Sequence, residues 1–139
     1  MKKEINKKEL EYWKNLWSKG GMDFIACENF WNGRAESFNQ NLKDKEKKTN
    51  LLIDSLEDRK ILHSKAKVLD IGCGPGTHSI PMGKKCEEVF SLDISENMLK
   101  ILQDKAVKAG LSNVNPMKIN WVDINLEEVI DRKVLRFMG

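Results

Sequence analysis

Two acids bracket a run of glycines in this chain. Asp70 is followed by Gly72, Gly74 and Gly76 at every second position, and Asp93 lies further along. Glycines at that density allow a turn with positive φ and let backbone come close to a ligand with no Cβ in the way. Before them Val68, Leu69 and Ile71 form an apolar run that predicts a short buried strand with Asp70 near its end. A strand entering a glycine turn and then a helix is how α/β proteins build cofactor sites.

Which cofactor depends on the frame and on charge. A dinucleotide fingerprint needs Gly-x-Gly-x-x-Gly, and the sixth position from Gly72 is Thr77. The frame present is Asp-x-Gly-x-Gly-x-Gly, Asp70 to Gly76. A carboxylate beside the loop would repel a pyrophosphate that has come for helix N–H groups. It suits a ligand carrying an ammonium and a sulfonium. Asp93 closes a second apolar run, Val89 to Ile94, where an acid can accept hydrogen bonds from both ribose hydroxyls. Charge therefore favours S-adenosylmethionine over NAD.

From Val68 to Leu99 the chain reads VLDIGCGPGTHSIPMGKKCEEVFSLDISENML. This stretch resembles the class I S-adenosylmethionine-dependent methyltransferases. The resemblance implies that Asp70, Gly72, Cys73 and Gly74 form the loop against the methionine part of the cofactor. It implies that Asp93 holds the ribose and that Ile94 and Met98 wall the adenine. In that family an acid beyond the third strand meets the adenine amino group; Asp123 occupies that place, with Trp121 and Val122 beside the ring. The implied fold is a Rossmann-like parallel α/β sheet, and the implied reaction is methyl transfer to an acceptor the sequence does not name. No general base and no metal ligand set is identified.

Length and composition set the frame for this site. A chain of 139 residues, 40% apolar and 32% charged, suits one globular domain. A formal net charge of +3 is too small to argue for nucleic acid. The three cysteines, Cys27, Cys73 and Cys86, have no Cys-x-x-Cys spacing. An odd count without a signal peptide points to reduced thiols and a cytoplasmic protein. Cys73 is expected to lend backbone rather than a thiol. No apolar run approaches a membrane span.

The elements that position the site follow from periodicity. Residues 4 to 17 suggest an amphipathic helix through Leu10, Trp13 and Trp17, stopped by Gly20 and Gly21. A second helix carries Phe30, Trp31, Arg34 and Phe38; these aromatics either pack onto the sheet or form a lid over the cofactor. The cluster Lys43–Lys48 suggests a solvated linker, with Thr49 or Asn50 capping a third helix that carries Leu52 and Leu56. His78, just after the glycine loop, either contacts the cofactor carboxylate or is simply exposed. Pro81 suits the first turn of the helix that follows. Ser95 is placed to cap a helix whose Leu99, Leu102, Ala106 and Ala109 share a stripe and which Gly110 ends. Pro116 opens a third strand in which Met117, Ile119 and Trp121 alternate. The whole predicts right-handed βαβ units and a parallel sheet.

Domain boundaries follow: a helical segment and linker over 1–48, a cofactor-binding βαβαβ half-domain over 49–125, and a C-terminal helix or tail over 126–139. The resemblance stops after the third strand. It implies a truncated methyltransferase with the first strand left as an open edge, available for self-association. The alternatives are a non-catalytic S-adenosylmethionine-binding or regulatory module and a nucleotide-dependent oxidoreductase sharing the first βαβ unit.

Overall fold

The computed structural model describes residues 6–19, 24–40 and 43–120. Three helices come first, α1 (Lys7–Lys19), α2 (Phe24–Gln40) and α3 (Lys43–Asp58). Strands and helices then alternate as β1 (Lys67–Ile71), α4 (Ser79–Gly83), β2 (Glu88–Asp93), α5 (Glu96–Lys108) and β3 (Val114–Lys118). The three strands are parallel in the order β1-β2-β3. This is the Rossmann-like α/β half that alternating apolar runs and helical stripes predict.

Register explains how the core is filled. Val68, Val89 and Val114 lie side by side across the three strands. Ile53 of α3, Leu62, Met82 of α4 and Cys86 pack onto that row. Both crossovers step in the same direction, and right-handed connection places α4 and α5 on one face. Val114 accordingly also touches the second cluster, built from Cys73 and from Leu99 and Leu102 of α5. Leu102 and Val89 are fully buried, so each contributes roughly 1.5–3 kcal/mol of burial.

The α5 helix starts and stops where its sequence says. The Ser95 hydroxyl accepts from the Met98 N–H at 3.2 Å, and Gly110 ends the helix with φ +67°. Met98, Leu99, Leu102 and Ala106 are buried; Ala109, at the C-cap, is exposed.

Two boundaries differ from expectation. Residues 43–48 are not a linker: they form the first turns of α3. Lys and Glu are good helix formers, and Thr49 and Ile53, one turn apart, are both buried and anchor the helix. The third strand begins at Val114, so Pro116 lies inside it. Val89 N–H donates to the Asn113 carbonyl and Ile119 N–H to the Asp93 carbonyl. Alternation then turns odd-numbered residues of β3 toward β2 and Pro116 outward, where its missing N–H removes no ladder bond. Among the described strands β1 has a neighbour on one side only, and Leu69 and Ile71 are exposed there. Trp121, Val122, Asp123 and the expected helix over 126–138 lie outside the described residues.

Candidate functional site

The glycine turn is fastened to the end of β2. Gly72 and Cys73 both donate their N–H to the Leu92 carbonyl, at 2.8 and 2.9 Å. Gly74 N–H donates to Asp93 Oδ2 at 2.8 Å, and Gly76 N–H to the Cys73 carbonyl at 3.2 Å. Gly72, Gly74 and Gly76 all have positive φ, which only glycine adopts without strain. Four N–H groups of the turn are thus engaged inside the protein. A pyrophosphate needs such groups free, so the turn is not a phosphate cradle.

Asp93 ends β2 at the turn. Its second oxygen accepts from the Ser95 N–H at 2.8 Å. A carboxylate has about four acceptor positions; two are filled by backbone N–H groups, and two remain to take a pair of hydroxyls. Asn32 of α2 secures the same corner. Asn32 Oδ1 accepts from the Ser95 hydroxyl at 2.6 Å and from the Asn97 N–H at 3.2 Å, while Asn97 Nδ2 donates to the Asn32 carbonyl. Glu28 of α2 pairs with Lys118 of β3. So α2 is fixed to the sheet near both its first and its middle turns.

Asp70 has a different position from the other loop residues. It is half-buried beneath the turn and accepts a 2.6 Å bond from the Ser79 hydroxyl. The Ser79 oxygen lies 2.7 Å from that of Ser91. Ser79 gives its one proton to Asp70, so Ser91 donates to Ser79. Burial pushes the Asp70 carboxyl above its ordinary range, and the Ser79 hydroxyl pulls it back.

A cavity of about 830 Å³ opens above the turn. Its floor is Ile71, Gly72, Cys73, Gly74, Thr77 and His78; one wall is Leu92, Asp93, Ile94, Met98, Ile119 and Asn120. The helices supply the rest: Cys27, Trp31 and Phe38 from α2, and Lys45, Lys48, Thr49 and Leu52 from α3. Trp31 and Phe38 meet edge to face at 6.0 Å. A Cβ built on Gly72 would meet nothing within 4 Å, so the turn presents bare backbone beside open space. Burial, followed by the carboxylates of Asp93 and Asp70, pushes the Cys73 thiol well up. It stays protonated and is no nucleophile.

Of the residues singled out from sequence, Gly72, Cys73, Gly74, Asp93, Ile94 and Met98 come together on this cavity. Asp70 acts only through the turn it underlies. Val122 and Asp123 lie outside the described residues. His78 and Trp31 are on the cavity wall and exposed in part. Sequence reasoning missed the α3 face and Asn32. Lys45, Lys48, Thr49 and Leu52 stand at i, i+3, i+4 and i+7, a stripe that is visible once the helix is extended back to Lys43.

Comparison with known proteins completes the picture. Residues 68–136 match the family model of the methyltransferase domain. The chain belongs to the S-adenosylmethionine-dependent methyltransferases. This methyltransferase is 31% identical over 105 residues to an uncharacterised Haemophilus influenzae protein, covering 71% of the chain and 38% of that relative. It is 38% identical over 53 residues to a ubiquinone biosynthesis O-methyltransferase of Leptothrix cholodnii, covering 38% of the chain and 23% of the relative. The chain therefore spans well under half the length of these curated relatives. Its fold is that of the magnesium protoporphyrin IX methyltransferase of Synechocystis, whose crystal structure holds S-adenosylmethionine. The TM-score is 0.61 at 21% identity, over 75% of this chain and 57% of that one. Among the described residues no helix is long and apolar enough to cross a membrane.

Proposed function

We propose that the cavity binds S-adenosylmethionine and that the protein transfers its methyl group to a small acceptor. The observation that carries this reading is the pairing of Asp93 with a turn whose N–H groups are already engaged. The residues present fit the cofactor. Asp93 has two acceptor positions left for the ribose hydroxyls, and its orientation is fixed by Gly74 and Ser95. Ile94 and Met98 offer apolar surface for the adenine. Gly72 and Gly74 let the backbone approach the amino-acid tail. Asp123 is proposed for the adenine amino edge.

When bound, the cofactor supplies a methyl group on a sulfonium, already activated for transfer. The chain's own part is positional. Asp93 and the turn hold the ligand in one orientation, and Trp31, Phe38 and Leu52 shield it from water. Among the described residues no group is placed as a general base.

Calorimetric titration with S-adenosylhomocysteine, with NAD as control, tests the reading. Saturable binding that disappears in Asp93→Ala is the expected result. Preference for NAD, or binding untouched by Asp93→Ala, would refute it.

A further inference from the structure

The charges around the cavity do not balance. Lys45 and Lys48 face it from one side of α3, and Asp93 is the single carboxylate on its lining among the described residues. Lys45 Nζ stands 3.7 Å from the centre of the Phe38 ring, an aromatic rather than an anionic partner. No described carboxylate pairs with Lys48. The described walls are otherwise mostly apolar: Trp31, Phe38, Leu52, Ile71, Leu92, Ile94, Met98 and Ile119. Next to such surface an uncompensated ammonium is poorly solvated and favours an anion.

Resting on the cofactor reading above, the imbalance grows when the site is loaded. Two ammonium groups against one carboxylate leave one positive charge on the lining. S-adenosylmethionine has two cationic centres and one carboxylate, so it adds a second. Counting Asp70, which lies beneath the turn, still leaves the loaded site positive. Placing the cofactor carboxylate on one lysine does not change that total. Something negative is still missing.

We propose that the acceptor is a small organic anion with an apolar body, held at its acidic group by Lys48 with Lys45 beside it. The α3 face places these two lysines one turn apart, with Thr49 and Leu52 completing the stripe. The Trp31 and Phe38 edges take the apolar body. A lysine is a flexible point charge, so it selects for negative charge more than for the geometry of the acid. Neutral acceptors of the same shape are rejected because they leave both ammonium groups without a counter-charge in an apolar cavity.

The test uses the whole chain saturated with S-adenosylhomocysteine. Benzoate and phenyl phosphate are titrated against their neutral counterpart benzamide, on the wild type and on Lys48→Met. In parallel, S-adenosylhomocysteine and 5′-methylthioadenosine, which lacks the amino-acid tail, are titrated on both proteins without the acid probes. The expected result is binding of at least one anion, about tenfold or more tighter than benzamide, lost in Lys48→Met. The affinity for S-adenosylhomocysteine stays within about twofold in the variant. If Lys48→Met instead weakens S-adenosylhomocysteine and spares methylthioadenosine, the lysine serves the cofactor tail and the proposal is wrong. It is also wrong if neither anion binds the loaded protein, or if benzamide binds equally well. Failure of the wild type to bind either adenosyl ligand overturns the cofactor reading itself, and this inference with it.

Discussion

Asn32 and Ser95 are 63 positions apart in sequence, yet the Ser95 hydroxyl donates to Asn32 Oδ1 at 2.6 Å. That bond joins the helix carrying the aromatic wall to the corner that holds Asp93. Ser95 is fully buried, so its hydroxyl has no water to fall back on. In Asn32→Ala the donor loses its acceptor at a cost of about 1–3 kcal/mol. Urea unfolding is expected to show that loss, and S-adenosylhomocysteine affinity to fall with it as Asp93 loses its fixed orientation. A variant with unchanged stability and affinity would mean the link is incidental.

Gly76 and Gly72 make opposite predictions although both have positive φ. A Cβ at Gly76 would stand 2.9 Å from Leu102 Cδ1 and 3.2 Å from Ile80 Cγ1. Gly76→Ala combines backbone strain with overpacking against a buried leucine, about 2–5 kcal/mol in total. Trimming Leu102 to Ala in the same chain is expected to recover part of that, giving non-additive unfolding energies. Strictly additive energies would exclude the clash.

Gly72→Ala meets open space, so only the strain of φ +69° remains, about 1–2 kcal/mol. Its methyl group sits at a turn that lines the cavity. The expected signature is a folded protein whose affinity for S-adenosylhomocysteine drops by more than its stability does. Full affinity in the folded variant would place the cofactor tail elsewhere.

Asp70 gives a pH dependence. Its carboxyl is raised by burial in the folded chain, so the folded state holds the proton more tightly than the unfolded one. The stability it contributes is complete below the ordinary carboxylate range and is lost as pH rises through the higher folded value. Asp70→Asn is expected to flatten that fall while keeping an oxygen for the Ser79 hydroxyl. Urea midpoints between about pH 4 and 7 check this; parallel curves for the two proteins would contradict it.

How much of this is legible without coordinates differs by element. The βαβαβ order, the Ser95 cap and the nearness of Asp93 to the turn follow from short-range patterns, because alternation, stripes and glycine spacing act within one or two turns of chain. The start of α3 is obscured by its own charge: Lys43 to Lys48 has no apolar period, and its helicity depends on Thr49 and Ile53 being buried by the rest of the fold. The Pro116 boundary misleads for a related reason, since an outward edge position tolerates proline inside a strand. Asp70 shows a third limit. Strand alternation tells which face it takes, but only the burial of Ser79 and Ser91 beneath the turn shows that its carboxylate faces away from the cavity. The contact between Asn32 and Ser95 has no local signal, because α2 and α5 meet only through the tertiary fold.

The three cysteines, finally, are unequal toward electrophiles. Cys73 and Cys86 are buried, and burial pushes both thiols up, so alkylating reagents meet neither an accessible sulfur nor much thiolate. Cys27 is half-buried on the α2 wall of the cavity. An alkylating probe on the folded protein therefore has one preferred point of attachment, and a ligand filling the cavity covers it. Without any engineered label, the rate of that single alkylation becomes a readout of whether the cavity is filled.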